Sequence, residues 1–492
     1  MTKEKNGYQD IAKSTWIFGS SQVIVLVLNI VRTKFIAVFL GTEGYGLISL
    51  FTNSINLIGT VTGFGLGTSA IKEIAQSNKD GDAKKIAKTV SLTHKIVWLT
   101  GIFGTILTIT FSPILSFAVF GNYSFTISFI WLGISVLFNQ LTIGNTILLR
   151  GLRLNRKLAN ANMTGALFGL LLSIPLYYFF GTKAIVPTIL LSSIITYLRS
   201  LYFTKDIHFE RVNFSFKESL KEAKPTLILG LMLSLTSIFT ILKALVIRIY
   251  VEKKGGVGEV GLYHAGFVLI NTYLGLIFTI MSNDYYPSLV EKFKDKKVAF
   301  ELVNKQLIFG LTLLTPLICG YFILNEYIIV ALFSEKFILT TMMIAWSLIG
   351  TFFKLISWTQ SYIILSDGNN KRFMLNEVIS ICFSLSISIL GYHFWGLNGL
   401  GIAYLIGYVY YSLQTYYLCK RWYGFDFNSG SKISIFLHMM LACGCFYFIY
   451  FTDDLKHLAG VILFILSVTL SYYEIKKMGL TTKFKKLIFR KN

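Results

Sequence analysis

Residues Thr15–Leu40, TWIFGSSQVIVLVLNIVRTKFIAVFL, decide the class of this chain. At about 25 residues the stretch can cross the hydrocarbon core of a bilayer as one helix, and it is too long for the apolar part of a cleavable signal. Met1–Lys13 ahead of it is polar and basic with no cleavage pattern, so the first span is expected to be a retained anchor. Yet the span carries Arg32 and Lys34. An ionisable group at membrane depth costs at least ~2.5 kcal/mol unless it faces protein or water. Lys243, Arg248 and Lys354 also lie inside long apolar runs where carboxylates are scarce. Charges of one sign inside a helical bundle point to a cavity that receives an anion.

Composition agrees. The 492 residues are 54% hydrophobic, 15% aromatic and only 14% charged, with mean hydropathy +0.62, which is the profile of a polytopic membrane protein. The formal charge of +22 does not imply nucleic acid, because the basic residues sit in short polar gaps between apolar runs rather than on one face of a soluble domain. Fourteen runs of spanning length lie between Thr15 and Tyr473. They include Gly46–Ala70, Val90–Phe111, Phe125–Leu149, Ile185–Phe203, Thr226–Val251, Leu262–Tyr285, Met342–Leu365 and Leu375–Trp395. With the N-terminus inside, roughly 35 Lys/Arg fall on the cytoplasmic side and about 5 on the other, a strong positive-inside bias. Both termini are therefore expected in the cytoplasm, with a basic tail that includes Lys483, Lys485, Lys486, Arg490 and Lys491.

Several chemistries lack their motifs. There is no G-x-x-x-x-G-K-[ST] loop for nucleotide phosphates and no H-E-x-x-H spacing, and the five cysteines show no metal-ligand pattern. A membrane glycosyltransferase or polymerase would need an acidic catalytic pair or a large extracytoplasmic loop, and the outer gaps are short. No catalytic residue, cofactor or metal is expected.

The chain repeats. A shift of about 215 residues brings Gly41, Gly46 and Leu47 onto Gly256, Gly261 and Leu262, Asn56 onto Asn271, Asn155-Arg156-Lys157 onto Asn370-Lys371-Arg372, and Gly181 onto Gly396. Six spans, an even number, separate the copies, so the two halves share an orientation. The expected fold is an all-α polytopic membrane protein of about fourteen transmembrane helices. Residues 1–224 and 225–424 form two six-helix bundles related by a parallel internal repeat, and residues 425–492 add two C-terminal helices and the tail. Such transporters hold substrate between bundles and expose it to each side in turn.

Candidate site residues follow from depth and charge. Arg32, nine residues before Gly41 at the outer end of span one, sits about 13 Å deep, near the midplane. Lys34 is about 200° around the same helix and faces elsewhere. Lys354 is mid-span, Lys243 similar, and Arg248 nearer an outer end. Arg gives bidentate phosphate contacts and Lys a mobile point charge, so together they suit a diphosphate or an acidic sugar. Asn56 and Asn271 are neutral groups for sugar hydroxyls or for helix–helix bonds. Asp284, Glu377, Glu43 and His264 are the candidates for a coupling proton or sodium ion, set against the plainer role of helix-end groups.

Four stretches carry a family resemblance. They are Arg32–Leu47 (RTKFIAVFLGTEGYGL), Thr62–Lys72 (TGFGLGTSAIK), Val260–Ala265 (VGLYHA) leading to Tyr286–Leu289 (YPSL), and Leu332–Phe337 (LFSEKF) followed by Lys354. In this order they resemble the polysaccharide flippases of the multidrug/oligosaccharidyl-lipid/polysaccharide exporter superfamily, above all the O-antigen translocases of Wzx type. The resemblance implies movement of undecaprenyl-diphosphate-linked oligosaccharide to the outer leaflet of a bacterial inner membrane, for lipopolysaccharide or a related polysaccharide. The sugars would cross a cationic cavity while the tail stays in membrane lipid. A polysaccharide polymerase and glycosyltransferases of the same pathway are the implied partners. Two spans beyond the usual twelve depart from the O-antigen pattern and leave a lipid II flippase as the alternative. A drug exporter of the same fold would carry deep carboxylates instead.

Overall fold

A computed structural model describes residues 2–207, 216–452 and 456–478, with the backbone alone before Ser21. The basic tail from Lys483 onward lies outside the described residues. Every regular element among the described residues is helical: α1 Thr2–Thr62, α2 Leu66–Asp80, α3 Ala83–Thr110, α4 Ser112–Phe120, α5 Thr126–Gly151, α6 Asn155–Phe180, a 3₁₀ turn Gly181–Ala184 and α7 Ile185–Thr204. Then come α8 Phe216–Phe267, a π-helical turn Val268–Tyr273, α9 Gly275–Lys292, α10 Lys296–Leu332, a 3₁₀ turn Glu335–Thr340, α11 Thr341–Ser366, α12 Asn370–Tyr423, α13 Ser429–Phe451 and α14 Lys456–Lys477.

Among the described residues, ten helical segments are long and apolar enough to cross a membrane. Four of them, of 42, 50, 59 and 53 residues, are far longer than one crossing needs, and each is broken inside. The breaks are Gly41 in α1, Gly181 between α6 and α7, Gly256 in α8 and Gly396 in α12. These ten segments, four of them long enough to hold two spans each, cover the apolar runs read from the sequence.

The repeat is written in the backbone. Left-handed residues recur 215 positions apart, at Gly41 and Gly256, Arg153 and Gly368, Gly181 and Gly396. Helices α5 and α11 match end to end at that offset, and α6 and α12 start at Asn155 and Asn370. The chain forms two compact units. The first comprises residues 1–261 with 332–334, and the second residues 262–331 with 335–492.

In the first unit α6 packs on α1 and α7, and α5 on α3 and α7. Leu66, Ala70, Ile74, Val97, Leu141 and Leu148 make one core, and Phe51, Phe120, Phe125 and Phe129 form an aromatic cluster. Gly46 and Gly261 let α1 and the last part of α8 touch backbone to backbone: a Cβ on Gly261 would stand 1.9 Å from the Thr42 carbonyl oxygen. Small residues permit such crossings where the solvent is lipid. In the second unit α11 packs along α12 over Leu289, Val303, Ile363, Ile364 and Phe425, and α13 pairs with α14. Large apolar side chains such as Phe179, Phe436 and Ile465 stay exposed, as lipid-facing residues do.

Two local expectations differ. The run Gly46–Ala70 is not one helix. α1 ends at Thr62, and Phe64 and Gly65 turn left-handed before α2 begins. The cause is a backbone crossing, since a Cβ on Gly65 would meet the Gly230 carbonyl of α8 at 1.9 Å. The gap after span three also holds a helix, α4, with Pro113 in its first turn and Gly121 as its left-handed cap.

Candidate functional site

The second unit gathers three of the sequence candidates. Lys354 lies on α11 among Phe352, Leu355 and Ile356, which are buried. Its Nζ donates to Asn271 Oδ1 at 2.9 Å, and it faces the rings of Phe278 (5.2 Å) and Tyr408 (5.7 Å). Asn271 is on the π-helical turn before α9. The extra residue in a π turn rotates the side chains that follow, and such turns gather at functional sites.

Lys354 also lines a cavity of about 260 Å³ with Trp358, Tyr362, Glu377, Tyr408 and Tyr411. Tyr411 donates its hydroxyl to Glu377. Asn376 Nδ2 donates to the same hydroxyl at 3.4 Å, and Gln414 Nε2 donates to Asn376 Oδ1 at 2.8 Å. Behind this layer Tyr285, Trp358 and Tyr362 pack ring against ring, with centroids 5.2 to 5.5 Å apart, and Tyr285 donates to the Thr359 carbonyl at 2.7 Å. The result is a fixed cation, an amide, a carboxylate and several phenols set among aromatic faces. Those are groups for an anion and for sugar rings with their hydroxyls.

Arg32 lies in the first unit. Its Nη2 reaches Ser192 Oγ of α7 at 3.5 Å, and the Tyr177 hydroxyl and Thr188 lie beside it. Arg32 Nε is buried and makes no hydrogen bond among the described residues, so a donor is left for a ligand. Two turns further along α7, Arg199 donates from Nε to Thr164 Oγ1 at 3.1 Å and stacks near Phe168, Tyr202 and Phe203.

Arg248 is 1% exposed. Its Nε donates to Ser49 Oγ and its Nη1 to the Ala244 carbonyl, both at 2.8 Å, so it braces α8 against α1. Lys34 and Lys243 are half-buried on α1 and α8, and His264 is half-buried near the end of α8. Asn56, Glu43 and Asp284 are exposed. Lys354, Asn271 and Glu377 are thus assembled within the second unit.

Sequence reasoning passed over Tyr408 and Tyr411, although Tyr404, Tyr408 and Tyr411 keep helical spacing on one face of α12 and so carried a signal. Arg199 carried one too, as a cation inside the apolar run Ile185–Phe203, whereas Tyr177 had none, because only the packing of α6 and α7 joins it to its partners.

Long broken helices, cations within them and an aromatic-lined cavity define a multi-pass membrane protein with the fold of a transporter. The chain belongs to the polysaccharide biosynthesis protein family, whose profile matches residues 35–341. It is similar to the lipid III flippase of Escherichia coli (strain K12), with 23% identity over 418 residues that cover 82% of this chain and 97% of the relative. Among solved structures, the fold is similar to lipid II flippase MurJ in an inward closed conformation, with TM-score 0.64 and 15% identity over 94% of this chain and 99% of that one. It is also similar to an inward-facing multidrug resistance MATE transporter, with TM-score 0.67 and 14% identity over 84% of this chain and 95% of that one. At those identities the structural likeness concerns the fold.

Proposed function

We propose that this protein is a flippase that moves oligosaccharide carried on undecaprenyl diphosphate, an O-antigen or related repeat unit, across the bacterial cytoplasmic membrane. Both termini are cytoplasmic. Residues 1–224 and 225–424 act as the two bundles that open alternately to each side, with residues 425–492 as an addition. The observation that carries this reading is the cavity in which Lys354 stands with Asn271, Glu377, Trp358, Tyr362 and Tyr408. Lys354 would hold a phosphate or a sugar carboxylate, and the rings and amides would follow the sugars. Arg32, with its unspent Nε, is a second anion contact. Lys34 and Lys243 add positive charge along the path, and Arg248 keeps it in shape. Glu377 is the strongest candidate for a coupling ion or proton. Asp284, Glu43 and His264 are weaker coupling candidates, and Asn56 is a weaker contact for sugar hydroxyls.

The family assignment and the similarity to the lipid III flippase, covering nearly all of that relative, support a lipid-linked saccharide as cargo. The polymerase and glycosyltransferases of the same pathway are the proposed partners. One observation favours a second reading, a lipid II flippase: the likeness to MurJ spans 94% of this chain. Translocation in proteoliposomes tests both, with each lipid-linked substrate offered to wild type, Arg32→Ala and Lys354→Ala at matched protein. Loss of one substrate's transport in both variants identifies the cargo and its cationic contacts. Full transport in both would refute the site.

A further inference from the structure

A second cavity of about 670 Å³ lies in the first unit, between α1, the start of α5 and the start of α7. Its wall is apolar: Leu47, Phe51, Phe125, Ile127, Trp131 and Leu190 are among its lining residues. The volume and the lining are those of ligand pockets. Its one charged group is Lys183, on the 3₁₀ turn between α6 and α7, beside Thr182. Lys183 is exposed and makes no hydrogen bond or ion pair among the described residues. It is also one of the few cations on the side where basic residues are depleted, so the positive-inside bias does not explain it. Ile127 and Trp131 are 69% and 52% exposed, which leaves the cavity open toward the surface of the helices.

We propose that this cavity binds an anionic phospholipid of the outer leaflet, with one acyl chain between α1, α5 and α7 and the phosphate on Lys183. Charge and length together favour this occupant. At about 30 Å³ per carbon, close to the share of a water molecule in the liquid, one chain of about 16 to 18 carbons needs roughly 500 Å³ and is held whole with its phosphate at Lys183, the second chain staying in the bilayer, whereas a polyprenyl tail of about 55 carbons needs roughly 1,600 Å³ and would leave more than half of its length outside. The face of α7 toward the cavity carries Pro187, Leu190 and Leu191, while Thr188 and Ser192 turn toward Arg32. A lipid seated here presses on the helix that positions the Arg32 contact, without being cargo.

Native mass spectrometry of the full-length purified chain tests this with phosphatidylglycerol and phosphatidylcholine of identical acyl chains. The wild type is expected to retain one phosphatidylglycerol more tightly than phosphatidylcholine. Lys183→Ala, an exposed substitution that leaves the core intact, is expected to weaken phosphatidylglycerol about fivefold and to leave phosphatidylcholine unchanged. Leu190→Trp, filling the cavity, is expected to abolish retention of both. Arg32→Ala is expected to retain lipid as the wild type does, so failure of the transport reading would leave this result intact. Equal retention of the two lipids by wild type, or equal phosphatidylglycerol retention by wild type and Lys183→Ala, would overturn the assignment. So would displacement of phosphatidylglycerol by an equimolar polyprenyl phosphate, which would make the cavity a seat for the carrier tail.

Discussion

Replacing Lys354 with methionine separates a transport role from a structural one. A lysine at the centre of a span costs about 2.5 to 3.5 kcal/mol. Part of that is returned by the 2.9 Å bond to Asn271, about 1.5 to 3 kcal/mol for a charged donor, and by the faces of Phe278 and Tyr408, about 0.5 to 1 kcal/mol each. The two sides nearly cancel, and methionine fills the space of the stem. Lys354→Met should therefore stay within about 2 kcal/mol of wild type in stability, a shift of a few degrees in melting temperature. The bond that an anionic substrate would lose is charge-assisted, about 1.5 to 3 kcal/mol, so translocation should fall roughly 10- to 150-fold. Lys354→Arg keeps the charge and should retain part of the activity. The assay is translocation of lipid-linked oligosaccharide in proteoliposomes beside a thermal melt of the same preparation. Wild-type transport by Lys354→Met would refute the reasoning. So would a fall of more than about 10 °C with activity lost only in proportion to the unfolded fraction, because the lysine would then be a structural member.

Gly261→Ala sets a Cβ 1.9 Å from the Thr42 carbonyl and should destabilise the chain by about 1 to 3 kcal/mol, read as a lower melting temperature. Arg248→Met strips Ser49 Oγ and the Ala244 carbonyl of their buried donor; a loss of about 2 to 3 kcal/mol is expected, with transport per folded molecule largely kept. Asp426, between α12 and α13, is held below the usual carboxylate range by its bond to Lys432, at 3.1 Å, and by Tyr416 and Lys420. Its folded value is depressed, so its stabilisation is present above about pH 4 and is lost as pH falls through the folded value. Asp426 is well exposed, so solvent screening limits the effect to under about 1 kcal/mol. Asp426→Asn should melt slightly lower than wild type at pH 7, and the difference should vanish in acid.

The fold was legible because lipid imposes length, and the length of an apolar run is a linear property of a sequence. The register of 215 was legible for the same reason: glycines at the breaks, Gly41 with Gly256 and Gly181 with Gly396, mark positions that the backbone can turn only with φ > 0. The assembled site was legible as residues and not as a site. Lys354 and Asn271 are 83 positions apart, and only the π turn at Val268–Tyr273 brings the amide round to the ammonium. Arg248 looked peripheral by its place near the end of a run. Its actual environment, 1% exposed against Ser49, depends on a helix crossing that no periodicity encodes. The break after Thr62 was hidden for a related reason: Gly65 reads as an ordinary small residue in an apolar helix, and only the close approach of Gly230 gives it a cause.

The repeat is symmetric in backbone and asymmetric in chemistry, and the difference carries meaning. At the offset of 215, Lys354 corresponds to Asn139, Asn271 to Asn56, Glu377 to Asn162, Tyr408 to Ser193 and Tyr411 to Thr196. The first half keeps polar groups at these positions and no charge. Conversely Arg32 corresponds to Ile247, and its neighbours Thr188 and Ser192 to Ala403 and Gly407. Two copies of one fold have thus placed their deep cations at non-equivalent positions, one between α1 and α7 and the other between α11 and the π turn. Helix packing alone would tolerate the same residues in both copies, since the helices end and break alike. The two units therefore offer different groups at equivalent places. The second unit, with its rings and carboxylate beside the lysine, is suited to sugar and anion together. The first, with a guanidinium among hydroxyls, is suited to an anion alone.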